Sequence, residues 1–479
     1  MKESRKVILL FLLSLGYRIL HFFLFANKLV AGSDARTYIT YARQFASGNF
    51  YGVLDTYWSP LYPILVGIVT CFTDKLLLPA IIVSIITGSL AAPLTYYLVK
   101  QSYGQREAFI AGIIAVFFPY LLNSTFGLGT ENPYLVWITG ALILGWRGLK
   151  SNSAKDYFFT GILVGLAYLT RPEAIGYLLF FAIFIFCKNL WQRNLISRTL
   201  LTQIAVLLLG FVILAAPYIF YLRSETGSWT VSGKTRKNVT AVNLVDSDDD
   251  DDDEDDVNNK PKISKVVPAK YLALHLRKVH EIFTELLPFF LIIFAALGLF
   301  KERWDKERFK REIYLISFCF LTVLGYVVTV PLIRYFYVLL PIFFSWIALG
   351  IVYFSDWFSE SARVWLPKSL FNRLNHKFIV ILCLIFIFGY MFSVNFYVRS
   401  AKSDWQRAAY EERDAGLWLK ENGKPSAKIL SVSKRPVFYA EGELIKPNSK
   451  DVEKIISQIK ENKIDYVIVG ERSYKSKSY

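Results

Sequence analysis

Leu61-Tyr62-Pro63-Ile64-Leu65-Val66-Gly67-Ile68-Val69-Thr70-Cys71-Phe72 is an apolar run of 12 residues. A helix that crosses a bilayer needs about 20. The run is too short to cross, and reads as a helix that lies in the interface or re-enters it. That choice sets the direction of all that follows. With the run skipped and the N-terminus cytoplasmic, the connections 100–107, 147–156, 188–199, 301–312 and 355–377 fall inside. Each is rich in Lys and Arg, as the positive-inside rule requires. Counted as a span, the same run would put every one of them outside.

Composition agrees with a membrane protein. Of 479 residues, 54% are hydrophobic, 16% aromatic and only 20% charged. Mean hydropathy is +0.36. Those values exclude a disordered or collagen-like chain and argue against a soluble enzyme. The net charge of +16 includes an acidic tract, Asp246–Asp256, so the remainder is more basic still. In a polytopic chain that excess belongs to cytoplasmic loops, and no nucleic-acid partner is implied.

Eleven candidate spans follow: Val7–Phe25, Leu76–Val99, Ala108–Leu122, Tyr134–Trp146, Tyr157–Leu169, Ile175–Cys187, Leu200–Leu222, Ile282–Phe300, Ile313–Val330, Tyr335–Phe354 and Phe378–Tyr397. The expected fold class is an α-helical polytopic membrane protein. Residues 1–397 form the membrane unit, with outer loops at 26–75 and 223–281. Residues 398–479 form a small extracytoplasmic α/β domain, read as helix Asp404–Lys420, strand Lys428–Val432, helix Asp451–Asn462 and strand Ile464–Val469.

Ionisable residues at a membrane edge are functional candidates. Four separate pieces of chain place them at the outer face. Gly32-Ser33-Asp34-Ala35-Arg36-Thr37-Tyr38 opens an amphipathic stretch, with Ser33 or Asp34 as an expected N-cap. Gly129-Thr130-Glu131-Asn132-Pro133 and Leu169-Thr170-Arg171-Pro172-Glu173 supply acids and an arginine. Pro331-Leu332-Ile333-Arg334-Tyr335 adds a second arginine. Arginine suits phosphate because its fork donates two parallel charge-assisted hydrogen bonds. A carboxylate beside it suits proton abstraction from an acceptor. The pattern points to group transfer from a lipid phosphate, set against a plainer reading in which the arginines snorkel or pair with structural acids.

These residues resemble the GT-C glycosyltransferases, in particular the protein mannosyltransferase-like and lipid A aminoarabinose transferase-like enzymes of glycosyltransferase family 39 and its relatives. The first outer loop, Gly32–Tyr38 with Ala42-Arg43 and Gly48-Asn49, is similar to the family's Asp-bearing loop. Trp58-Ser59-Pro60-Leu61-Tyr62-Pro63 resembles its Pro-Pro-Leu-Tyr stretch. Thr130-Glu131-Asn132, Leu169–Glu173 and Arg334-Tyr335-Phe336 with Leu340-Pro341 resemble three further motifs, in the same order. The resemblance implies about 11 transmembrane helices in a GT-C fold, and a polyprenyl-phosphate sugar donor. It implies Asp34 as general base in an inverting transfer. Arg36, Glu131, Arg171, Glu173, Arg334 and Tyr335 would bind substrate, with the two arginines 171 and 334 near the phosphate. The acceptor would be a glycan, lipid or protein. Residue 35 is Ala where the protein mannosyltransferases carry an acid, which argues against protein O-mannosylation.

The rival from another class is a transporter or flippase of a lipid-phosphate-linked sugar, but such proteins gather polar groups near the midplane and show repeats. A ligase joining oligosaccharides would need a large outer loop late in the chain. No metal is assigned, since His21, His275, His280 and His376 form no cluster; a divalent cation on carboxylates is the alternative left open. The acidic tract reads as a solvated loop. Cys71, Cys187, Cys319 and Cys383 read as small core residues, and Trp58, Trp137, Trp146 and Trp304 as an interfacial belt. Asn123-Ser124-Thr125 and Asn238-Val239-Thr240 are glycosylation sequons on the outer side.

Overall fold

A computed structural model describes residues 2–25, 29–191, 198–233, 268–365, 376–400, 404–449 and 451–470. The acidic tract and the Asn238 sequon lie outside the described residues.

The chain is a bundle of apolar helices with a small sheet near the C-terminus. α1 (Glu3–Phe25) leads to α2 (Ser33–Ala46) and α3 (Leu61–Thr70), two short helices packed together at one end of the bundle. α3 is the decisive run of the sequence, and at 10 residues it reaches about 15 Å. α4 (Leu78–Ser89) and α5 (Ala91–Ser102) form one long rod. α6 (Gln105–Phe117) and α7 (Pro119–Phe126) form a rod bent by 46° at Pro119. Proline removes a helical hydrogen bond and clashes with the preceding turn. α8 (Glu131–Ser151), α9 (Ala154–Thr170), α10 (Ile175–Trp191) and α11 (Arg198–Thr226) complete the first half.

The second half opens with α12 (Pro268–Leu286) and α13 (Phe289–Phe300), which meet at 92° across Pro288. The expected span Ile282–Phe300 is thus corrected. Its first residues belong to an amphipathic helix lying across α13, with His275, Val279, Ile282 and Leu286 on the buried face. α14 (Lys306–Val328), α15 (Leu340–Trp365) and α16 (His376–Ser400) follow. Among the described residues seven helices are long and apolar enough to cross a membrane, and nine if each bent pair counts as one. α8 and α9 account for the difference from eleven. They lie inside the bundle, where neighbouring helices rather than lipid cover them and fewer apolar residues suffice.

Glycines set the tightest helix contacts. A Cβ at Gly161 of α9 would sit 2.1 Å from the Leu207 carbonyl of α11, and one at Gly210 only 2.2 Å from the Phe158 carbonyl. Gly298 and Gly350 do the same between α13 and α15. Small residues let helix backbones meet where no hydrophobic force favours helix over lipid.

The C-terminal unit is α17 (Asp404–Asn422), β1 (Lys428–Ser431), α18 (Lys434–Ala440), β2 (Glu443–Ile445), α19 (Val452–Glu461) and β3 (Tyr466–Ile468). The sheet order is β2-β1-β3, all parallel, with Ile429 opposite Leu444 and Tyr466. α18 and β2 add to the expected elements. They are only 7 and 3 residues long, too short for a periodic signal.

Three further expectations are corrected. None of the cysteines is buried: Cys71 and Cys187 are exposed, Cys319 and Cys383 half-buried, and all four are free. Trp146 packs inside against Tyr314 rather than in a belt. Ser124 and Thr125 are buried within α7, so the Asn123 sequon belongs to the bundle rather than to a loop.

Candidate active site

Every acid and arginine singled out at the α2 end sits where a helix starts or stops, and Gly or Pro accounts for each break. α2 has Gly32 as its N-cap, with no side-chain cap, so neither Ser33 nor Asp34 caps it as expected. The Asp34 carboxylate is therefore free to face its neighbours. Glu131 is the first residue of α8, after a turn in which Leu128 takes φ 51°. A left-handed Leu is strained, and its full burial holds it there. Arg171 ends α9 with extended backbone, because Pro172 follows and disfavours helix at the residue before it. Arg334 lies in a 3₁₀ turn, Ile333–Leu339, just past Pro331.

The folded chain brings these residues together. Arg334 Nη1 lies 3.0 Å from Asp34 Oδ2, and its Nε lies 3.8 Å from Glu131 Oε1. Arg171 Nη1 is 3.7 Å from the same Glu131 oxygen, while its Nε donates to Glu173 Oε1 at 2.7 Å. Two guanidiniums thus face one carboxylate. Glu131 and Arg171 form the floor, each about 10% exposed; Asp34 and Arg334 are open, at 32% and 41%. Tyr335 lies beneath both arginines, 4.2 Å from Arg171 and 5.6 Å from Arg334, and stacks on Tyr326 at 4.9 Å. Rings in this position favour cations and fix their plane.

Arg36 is set apart. It is buried, and its Nη1 donates to the Ala31 carbonyl at 3.1 Å. That places it at the root of α2, on the side of the C-terminal unit. There the Ala31 amide donates to Tyr439 Oη at 2.8 Å, Arg413 Nη1 donates to the Leu29 carbonyl at 3.2 Å, and Arg43 pairs with Glu441 at 2.8 Å. The C-terminal unit therefore grips the segment that carries Asp34. Burial alone would push the Glu441 carboxyl up, but hydrogen bonds from Lys420 and Arg43 hold it below its ordinary value.

Several tyrosines of the site were not singled out from sequence. Tyr326 donates to Glu173 at 3.3 Å, and Tyr134 lies 5.5 Å from Arg171. Tyr38, buried four residues beyond Asp34, packs edge-on against Trp58 and Tyr62. In the sequence Tyr134 and Tyr326 are aromatics within apolar runs that nothing separates from ordinary core, and Tyr38 falls on the apolar face of an amphipathic stretch. Among the described residues no three His, Cys, Asp or Glu side chains form a metal-binding group. Each carboxylate of the cluster faces an arginine instead.

Comparison with known proteins bears on the fold. The sequence model of the dolichyl-phosphate-mannose-protein mannosyltransferase family matches residues 58–221. No curated protein matches the chain. Among solved structures it is similar to ArnT from Cupriavidus metallidurans bound to undecaprenyl phosphate, with TM-score 0.56 and 11% identity over 97% of this chain and 90% of that one. It is similar to the apo oligosaccharyltransferase of Archaeoglobus fulgidus, with TM-score 0.54 and 15% identity over 97% and 69%. It also resembles the Archaeoglobus fulgidus enzyme AglB in complex with an inhibitory peptide and a dolichol-phosphate, with TM-score 0.51 and 15% identity over 93% and 64%. These solved structures share the GT-C fold. At these identities the likeness shows the fold, and the fold is GT-C.

Proposed function

We propose, for this chain of GT-C fold, that it transfers a sugar from a polyprenyl-phosphate donor to an acceptor at the extracytoplasmic face, with inversion and with Asp34 as general base. The observation that carries this reading is the pair of guanidiniums on one carboxylate, with Asp34 3.0 Å from the outer one. The N-termini of α2 and α8 carry Asp34 and Glu131, so two helix dipoles present their positive ends there.

In the resting chain the carboxylates occupy the arginines. An incoming donor phosphate takes Arg334 and Arg171, which suits their fork geometry. Arg334 then releases Asp34. Asp34 accepts the proton of the acceptor hydroxyl or amine. The acceptor atom bonds to the anomeric carbon as the bond from that carbon to the phosphate oxygen breaks, and polyprenyl phosphate leaves. Fixed cations opposite the leaving oxygens stabilise the charge that develops on them. The amino terminus is cytoplasmic in this reading and the C-terminal unit extracytoplasmic.

Purified protein in lipid is incubated with a panel of radiolabelled polyprenyl-phosphate sugars and a membrane extract, with Asp34→Asn alongside. We expect label to move to an acceptor with wild type and to fall at least 100-fold with the variant, which folds normally. Binding or translocation of the lipid without any transfer would replace this reading with a lipid-sugar transporter.

A further inference from the structure

Ala31 stands three residues before Asp34, and both of its main-chain groups are held. Its amide donates to Tyr439 Oη at 2.8 Å, and its carbonyl accepts from Arg36 Nη1 at 3.1 Å. Two residues earlier, the Leu29 carbonyl accepts from Arg413 Nη1 at 3.2 Å. Tyr439 and Arg413 belong to the C-terminal unit, 408 and 384 residues along the chain from the groups they hold. The contact excludes water: Ala31 and Tyr439 are both buried. Tyr439 shares one hydrophobic cluster with Ala31, Ala35, Tyr38 and Ile39, and Phe438 packs against it. The buried face of α2 thus includes a side chain of the C-terminal unit, while Asp34 stays open to Arg334 at 3.0 Å.

The start of α2 needs such an anchor. No side chain caps it, and an uncapped first turn frays readily. Asp34 lies in that turn. Tyr439 is itself fixed within the C-terminal unit. α18 carries it and meets α17 at Gly416, where a Cβ would lie 2.3 Å from the Pro436 carbonyl and 2.7 Å from Tyr439 Cβ. The Arg43–Glu441 pair, at 2.8 Å, ties the same unit to the last turn of α2. The two guanidiniums of the site hang from other elements, Arg171 from the end of α9 and Arg334 from the 3₁₀ turn Ile333–Leu339. A shift of α2 therefore moves Asp34 and leaves the arginines where they are.

We propose that Tyr439 is a positioning residue for Asp34: by holding the Ala31 amide, the C-terminal unit fixes the first turn of α2 and with it the place of Asp34 opposite Arg334. The unit thereby governs the transfer step and not the binding of the donor. That consequence rests on the reading of Asp34 as general base; the anchoring of α2 does not.

The test has two arms, both on the full chain in lipid at neutral pH. The first needs no substrate. Hydrogen exchange is followed by mass spectrometry in wild type and in Tyr439→Phe, which loses only the hydroxyl. The peptide over residues 30–38 should exchange about tenfold faster in the variant, and a peptide from α9 at the wild-type rate. Unchanged exchange over 30–38 overturns the proposal. In the second arm undecaprenyl phosphate is the binding probe and sugar transfer is the assay. Tyr439→Phe should lower kcat about tenfold and leave the Kd and stoichiometry of the probe within about twofold. Added to Asp34→Asn, it should lower the residual transfer by less than about twofold, since the group it places is gone. A kcat within about twofold of wild type overturns the proposal, and so does a second loss of about tenfold on top of Asp34→Asn, which marks a general structural effect. Arg413→Gln releases the Leu29 carbonyl and should move both arms the same way by about threefold; it decides the matter if Tyr439→Phe does not insert. A wild type that transfers no sugar, beside faster exchange in the variant, refutes the transferase reading alone and leaves the anchoring of α2 standing.

Discussion

At the scale of the residue, the site is a set of charges whose separation is fixed by hard contacts. Gly129 is an example. A Cβ there would lie 2.3 Å from Glu131 Oε2. The clash is with the end of a flexible side chain, so the carboxylate swings rather than the fold giving way. Gly129→Ala should therefore keep its melting temperature within about 2 °C and lose about tenfold in kcat/KM, roughly 1.4 kcal/mol of transition-state binding. An assay of thermal unfolding beside transfer separates the two. Arg334→Lys removes the fork that reaches Asp34 and Glu131 at once. The donor KM should rise about 10- to 100-fold, since a point charge replaces two directed donors. Much of this was legible from residue type: acids and arginines at Pro- and Gly-broken helix ends stand out against apolar runs.

At the scale of the element, proline or glycine marks helix ends legibly between apolar runs, whereas a proline inside an apolar run leaves the break hidden. Pro288 lies inside the apolar run from Ile282 to Phe300, and hydropathy runs straight through it. Only the 92° turn shows that α12 and α13 are separate. α12 carries His275, Val279, Ile282 and Leu286 on its buried face, a helical spacing that is visible in sequence once the break is known. The α13–α15 contact depends on Gly298 and Gly350, and a Cβ at residue 350 would lie 1.8 Å from the Phe294 carbonyl. That neighbour is backbone and cannot turn aside. Gly350→Ala should destabilise the bundle by about 1–3 kcal/mol through overpacking. Unfolding in mild detergent, followed by circular dichroism, would read it. An unchanged transition would mean that the two helices separate without cost.

At the scale of the whole molecule, the bundle and the C-terminal unit meet at α2, and their joint should loosen in acid. Glu441 is held below its ordinary pKa by Lys420 and Arg43 against the opposing effect of burial. A group depressed in the folded state stabilises it at pH above its unfolded value, near 4.3. That contribution is lost as pH falls through the depressed value. The Ala31 amide, which donates to Tyr439, should exchange faster with solvent as pH drops below about 4, after correction for intrinsic rates, and Glu441→Gln should remove that acceleration. The sequence showed an α/β unit following the last span, but not that it folds back onto the first loop. Nothing local in residues 29–31 or 413–441 encodes a contact across nearly the whole chain. The joint also has an unusual grammar. Tyr439 and Arg413 take hold of the amide of Ala31 and the carbonyl of Leu29, which are main-chain groups. The two hydrogen bonds therefore survive any side-chain change at 29–31 that still fits the buried place of Ala31 beside Tyr439, unless position 31 becomes proline and its N–H is lost. Divergence across that short stretch between related chains is no sign that the two parts have come undocked.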